Sequence, residues 1–342
     1  DLADNGEIKW NFVPTDQIER VEIVKSAGSA LYGSSALGGV INIITKKATR
    51  RPETHIRLSS GLYDDPPYAE WQWRQDPLYF NDMDISHSRS IGNTRVFFSL
   101  SGHQSTGYRQ NSGYQRVNAL GKAIFNLSSL QKLTVQSRIE VGESDVGIMW
   151  HNRHNALSVD PESLGDYSKI DRQSVNAIHE WAVNKTLGLK SRLSWFRNFY
   201  QNRMHDNQDY STAQRFGMEV QGTLLAAETQ TITLGTEQAL DHVTSNALGL
   251  HNIVTASVYY QQEMKILPSL LMSIGGRYDY TDTDGKQHFQ QFSPKYGLVW
   301  HITDLITLRL SSGKGFRAPS VTEKFPTISA AGLNVIPNLD LK

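Results

Sequence analysis

Residues 149–154 read Met-Trp-His-Asn-Arg-His, two histidines three apart beside a thioether and an indole. Neutral imidazoles can ligate a metal or a metal chelate, and Trp150 can stack on the flat face of one. Downstream lie Asp160, Glu162, Asp166 and Asp171, with Tyr167, Lys169 and Arg172 among them. Carboxylates at that density suit a hard cation, but the mixture with Lys and Arg fits a solvated lid better. His205, near Tyr200 and Tyr210, forms a second and weaker grouping. Paired histidines in a long polar segment are more often solvated than ligating. Trp150, His151, His154, Tyr167 and Tyr210 are therefore the candidate ligand-binding residues, with a metal left open. Catalysis has little support: no Gly-x-Ser-x-Gly elbow, phosphate loop, dinucleotide fingerprint or His-Glu-x-x-His occurs.

Those residues need a scaffold, and the composition narrows its kind. The chain balances 34 basic against 34 acidic residues, so no net field favours nucleic acid. It has no cysteine, which removes a disulfide framework, a cysteine zinc site and a cysteine nucleophile. Aromatics make up 10% of the residues, yet the mean hydropathy is −0.43. No stretch of mostly apolar residues is long enough for a membrane helix once Gly and Ser are weighed. A β-barrel escapes that limit, because only alternate residues face lipid.

From about residue 53 the chain alternates with period two. Val117, Ala119, Ala123 and Phe125 share one parity, and Arg116, Asn118 and Lys122 the other. Likewise Phe216, Met218 and Val220 oppose Glu219 and Gln221, and Met272, Ile274 and Tyr278 oppose Ser273, Arg277 and Asp279. The segments run to ten residues or more, longer than soluble strands usually are and long enough to span when tilted. Short turns near 91–94, 127–131, 184–188, 226–229, 265–268 and 303–305 alternate with longer polar stretches at 63–81, 143–172, 201–212, 243–250 and 282–288. Short turns on one side and long loops on the other are the asymmetry of an outer-membrane barrel. Aromatic clusters (Trp195, Phe196, Phe199 and Tyr200; Tyr259 and Tyr260; Tyr278 and Tyr280) fit interfacial girdles.

The segment before the barrel is the most specific. Ile18 to Lys47 reads IERVEIVKSAGSALYGSSALGGVINIITKK: an alternating start, then an uncharged run from Ser26 to Thr45. Its glycines and serines disfavour a lipid-exposed helix and predict a helical turn near Ser29–Tyr32, a Gly-rich corner and a buried strand Val40–Thr45. This stretch closely resembles the end of the plug domain of TonB-dependent outer-membrane receptors, with Tyr32-Gly33, Gly38-Gly39 and Asn42 in order. Near the other end, Gly315-Phe316-Arg317-Ala318-Pro319-Ser320 and Pro337-Asn338-Leu339 resemble two barrel blocks of the same family. Ile336 stands where that family has Asn, and no histidine lies between Pro319 and Pro337, which weakens a haem reading.

The resemblance implies a membrane β-barrel of about 22 antiparallel strands, roughly thirteen of them here, behind an N-terminal plug. Residues 1–50 would be the end of the plug and 51–342 part of the barrel. The chain lacks a signal peptide and a TonB box and is expected to be part of a longer protein. By resemblance that protein is no enzyme, has no resident cofactor, and sits in outer-membrane lipid without a nucleic-acid partner. It would bind a ferric siderophore, cobalamin or haem and be driven by the TonB–ExbB–ExbD complex. Arg317 is expected on a barrel strand, paired with plug or neighbouring-strand carboxylates. A passive barrel with a relic plug, such as a porin, adhesin or assembly component, is the alternative; a soluble β-sandwich carbohydrate binder is more distant.

Overall fold

The computed structural model describes residues 17–25, 39–147, 150–205, 207–315, 317–330, 333–338 and 341. The predicted turn and corner at Ser29–Gly38, and with them Tyr32, Gly33 and Gly38, lie outside the described residues, as does Phe316. Strands β1 (Ile18–Lys25) and β2 (Gly39–Thr45) pair antiparallel, with Val21 opposite Ile43 and Glu22 opposite Asn42. β2 was expected to be buried; it is half-exposed instead, with Ile41 open on one side.

Thirteen strands then form one antiparallel sheet. They are β3 (Glu53–Leu62), β4 (Tyr79–Ile91), β5 (Thr94–Ser105), β6 (Tyr114–Asn126) and β7 (Gln131–Asp145), followed after an insertion by β10 (Tyr167–Ala182) and β11 (Leu187–Met204). The rest are β12 (Asn207–Ala227), β13 (Gln230–Ser245), β14 (Gly249–Leu267), β15 (Leu270–Thr283), β16 (Gln287–His301) and β17 (Thr307–Gly313). Each pairs with its neighbour in sequence, and β10 pairs with β7 across the hairpin of β8 (Trp150–Asn152) and β9 (Asn155–Val159). A four-residue helix α1 (Val321–Lys324) and the small hairpin β18 (Ile328–Ala330) and β19 (Leu333–Val335) follow.

The two faces are inverted relative to a water-soluble sheet. Leu193, Phe216 and Leu240 are more than half exposed on one face. On the other, Ser99, Asn198, Arg277 and Asp279 are buried. A polar interior and an apolar exterior are what a barrel in lipid requires. Among the described residues no helix is long and apolar enough to cross a membrane.

Connections at one end are short: 92–93, 127–130, 183–186, 228–229, 268–269 and 302–306. At the other end 63–78, 106–113 and 146–166 are long, the second of them unforeseen. The polar stretches 201–212, 243–250 and 282–288 are a correction. They are strand extensions, turning at His205 and at residues 246–248 and 284–286. His205 and Asp284 take the left-handed backbone, at φ 56° and 58°, to close two of these turns.

Two apolar clusters interrupt the polar inner face. Phe97, Leu120 and Ile124 enclose Ala48, where the chain leaves β2 for the sheet. At the far end Ala213, Val243, Leu248 and Ile253 receive Val321, with Tyr200 and Phe325 packed against them.

Candidate functional site

Alternation points every second side chain of β6, β7, β10 and β11 inward, and the register places Asn118 beside Glu140 and Glu140 beside Arg172. Three arginines thereby gather round one buried carboxylate. Arg138 lies 3.5 Å and Arg172 4.0 Å from Glu140, and Arg116 lies on the same face of β6. The Arg172 guanidinium also donates to Asn198 at 3.0 Å, and Arg116 sits 4.3 Å over the Tyr114 ring. Toward the long-loop end the wall turns aromatic. Tyr63 meets Phe80 and Tyr108 at 5.8 and 6.0 Å between ring centroids. The Trp73 indole donates to the Tyr108 carbonyl. Rings over guanidinium groups can hold a flat anionic ligand, the rings by stacking and the arginines by paired N–H donors.

The inner face further along the sheet, on β12–β15, is more evenly balanced. Arg277 is held between Asp279 at 2.7 Å and Glu237 at 2.8 Å, with Ser257 Oγ also within reach. The Tyr259 hydroxyl donates to Glu219 at 2.9 Å. Tyr259 was expected in an outer girdle; it faces inward and belongs to this network, whereas Tyr260 and Tyr278 face outward.

The loop carrying the predicted site residues is a folded unit, not a solvated lid. Asn111, at φ 54°, donates its side-chain amide to the carbonyls of Val146, Ser163 and Asp166. Gln110 is tied to the same loop through Leu157 and Val159. Asp160 caps the turn at Pro161–Ser163, and buried Asp166 accepts from the His205 backbone N–H. Trp150, His151 and His154 stand exposed on the β8–β9 hairpin, where Arg153 donates to His154. Tyr167, under the Lys169 ammonium, and Tyr210 share the outward parity with Val175 and Phe216, away from the arginines. The predicted residues are thus split between loop tip and outer face. Among the described residues no three His, Asp or Glu side chains cluster as metal ligands.

Arg317 is a second correction. It lies in the coil after β17 and binds Glu323, six residues on, rather than a plug or strand carboxylate. That guanidinium, with the Ser320 backbone N–H, lowers the Glu323 carboxyl from 4.5 to about 2. Both contacts are local because the segment from Pro319 folds back over the inner wall. Phe325 stacks on His251 at 3.9 Å, Thr327 donates to the Ala247 carbonyl, and Asn338 N–H donates to the Lys324 carbonyl. At the other end of the chain, Asn42 donates to Glu22 at 3.2 Å, and Gly39 closes the β1–β2 pairing opposite Lys25. Lys122 on the inner face of β6 donates to the carbonyls of Thr45 and Lys46, tying the end of β2 to the sheet.

The model of the TonB-dependent receptor-like β-barrel matches residues 43–342, and that of the TonB-dependent receptor plug domain matches residues 2–40. The chain belongs to the TonB-dependent receptor family. This receptor chain is 22% identical to the iron-regulated outer membrane virulence protein of Vibrio cholerae over 99% of its own length and 51% of that protein's. It is 24% identical to the ferric enterobactin receptor of Pseudomonas aeruginosa, covering 94% of this chain and 49% of the relative. It therefore spans about half the length of these curated relatives. A shorter match, 45% identical over 56 residues, is to the vitamin B12 transporter BtuB of Vibrio vulnificus, 16% of this chain and 9% of the transporter. The crystal structure of the siderophore receptor PiuA from Acinetobacter baumannii superposes with a TM-score of 0.74 at 14% identity, over 94% of this chain and 58% of the other. That likeness shows the fold.

Sequence reasoning found the inward parity of Arg116 and Asn118 but missed Arg138, Arg172 and Glu140 as one cluster. The usable signal was the strand register, which brings side chains from separate strands level.

Proposed function

We propose that this chain is the plug end (residues 1–50) and part of the barrel (51–342) of an outer-membrane receptor. The whole protein captures a scarce, large ligand at its long-loop end and passes it inward when the TonB–ExbB–ExbD complex remodels the plug. The resident cofactor set is empty in this reading, and the protein transports rather than catalyses. A ferric siderophore, cobalamin and haem all fit the scaffold. One observation favours an anionic iron chelate: Arg116, Arg138 and Arg172 surround the single carboxylate Glu140 below an aromatic rim of Tyr63, Phe80 and Tyr108. Guanidinium groups pair with oxyanions, whereas a neutral corrin gains little from them. The ferric enterobactin receptor of Pseudomonas aeruginosa, 24% identical to this chain, supports the same choice.

The test uses the full-length receptor in cells without other siderophore receptors. Uptake of a radiolabelled ferric catecholate should depend on the receptor and stop when a protonophore collapses the inner-membrane gradient. Uptake that continues without the gradient would leave a passive barrel. Energised uptake of cyanocobalamin but not the ferric catecholate would overturn the choice of ligand.

A further inference from the structure

His251, on the inward face of β14 opposite Val243, is 8% exposed, and both of its ring nitrogens face oxygen acceptors. Nδ1 lies 2.7 Å from the Asp284 carboxylate, and Nε2 lies 2.7 Å from the Leu248 carbonyl. A neutral imidazole carries one N–H, so one of these contacts would set two lone pairs against each other. At that distance no water separates the atoms. The geometry therefore fits the imidazolium, which donates from both nitrogens. Partial burial pushes the Asp284 carboxyl up, but the Asn252 N–H, His251 and Lys286 together hold it below the usual carboxylate range. The acceptor at Nδ1 is thus a charged one.

The ring joins three separate stretches of chain. Leu248 belongs to the turn at 246–248, Asp284 to the turn at 284–286, and Phe325, stacked on the imidazole at 3.9 Å, follows α1. The turn at 246–248 also receives that last segment directly. Leu248 shares an apolar cluster with Val321, and Thr327 donates to the Ala247 carbonyl at 2.9 Å. A charge on His251 favours docking twice, as a cation against the Phe325 ring face and through the turn that Nε2 holds. The other charged groups nearby have partners of their own. Lys324 lies over the Phe289 ring and donates to Gln287, Glu323 is held by Arg317, and Arg215 pairs with Asp241 one inward row below. On the outward face His242 bonds Asn252, and His288 lies 3.2 Å from Asp282.

We propose that docking of residues 317–327 over the inner wall is coupled to a proton on His251: the charged ring holds the segment down, and loss of the proton loosens it. The docked state binds the extra proton. Its stabilisation is therefore present at low pH and is lost as pH rises through the histidine range of about 5 to 8. Glu323 does not mask this, because its contribution is already whole above about pH 4.5. The coupling belongs to the segment and stands whichever ligand the receptor carries. Hydrogen exchange of the full-length receptor in detergent, corrected for the intrinsic rate, is the measurement. Protection of residues 317–327 should fall on the order of tenfold between about pH 5.5 and 8. His251→Gln, neutral throughout, should show the lower protection at both ends. Asp284→Asn should keep the higher protection at about pH 8, because its amide can donate to the neutral ring nitrogen. The imidazole nitrogen NMR shifts of the wild type, assigned by comparison with His251→Gln, need neither variant to dock the segment. At about pH 5.5 they should show both nitrogens of His251 protonated. Wild-type protection that did not change with pH would overturn the proposal. So would an unaltered pH dependence in His251→Gln, or a neutral His251 at about pH 5.5 beneath a protected segment.

Discussion

Val117 and Asn118 are adjacent on β6, yet Val117 is 53% exposed and Asn118 only 4%. The same division holds between Leu240 and Asp241, and between Tyr278 and Asp279. In a water-soluble sheet the apolar member of each pair would be the buried one. Here burial and polarity are uncoupled, as they would be in a barrel whose outer solvent is hydrocarbon and whose inner surroundings are other charged side chains. The inner face owes its order to charge pairing, as at Arg277, and the outer face presents apolar side chains outward. Electrostatics and the hydrophobic effect thus act on opposite sides of one strand.

The strongest test of that contrast is its exception. Leu120 is fully buried on the inner face, against Phe97, Ile124 and Ala48. Leu120→Ala should destabilise the folded barrel by about 2–5 kcal/mol, because it leaves a cavity against Phe97, Ile124 and Ala48. Chemical denaturation in detergent or lipid would measure it. A loss below about 1 kcal/mol, the scale of an ordinary surface change, would show that the cluster at the plug exit is not a packed core.

The contrast itself is tested by one residue type placed on both faces. Ala119→Arg, outward between Leu100 and Ile139, should cost about 2–4 kcal/mol if it lies near the midplane. Thr223→Arg, on the inward parity of β12, should stay within about 1 kcal/mol. Equal tolerance at the two positions would break the barrel assignment.

The parity that these substitutions probe was legible in the sequence, and so was the number of strands in the sheet. Strand ends were not. Beyond the hydrocarbon both faces of a strand are polar, so Tyr210, Thr212 and Thr244 read as loop although they pair across β11, β12 and β13. Alternation reports the solvent boundary, and the backbone continues past it. The site was harder still. Arg138, Glu140 and Arg172 come from two strands separated by the whole β8–β9 hairpin, and nothing local in the sequence brings them together. The histidines near Trp150 drew attention as residue types, whereas their positions follow from Asn111, an ordinary turn residue in sequence.

Asn111 makes the next prediction. Asn111→Ala removes one amide that reaches three carbonyls, and should weaken closure of the 146–166 loop by about 1–3 kcal/mol. Faster hydrogen exchange confined to that loop would show it. Unchanged exchange there would return the loop to the solvated lid that its composition suggests.

The smallest effect concerns Glu323, whose neighbours cover the inner wall at the mouth. The folded carboxyl titrates near 2 instead of 4.5, held by Arg317 and by the Ser320 N–H. A depressed folded value means that ionised Glu323 stabilises the docked segment. The contribution is whole above about pH 4.5 and fades as pH falls toward 2. The pair is largely solvent-exposed, so screening limits its worth to below about 1 kcal/mol. Glu323→Gln should therefore speed hydrogen exchange in residues 317–327 by about two- to fivefold at pH 6, after correction for the intrinsic rate. Wild type and variant should converge as the pH approaches 2. A difference that persisted there would mean that Glu323 acts through its shape and not its charge. No difference at pH 6 would leave Val321 and Phe325, packed on Ala213, Val243 and His251, as the contacts that hold the segment down.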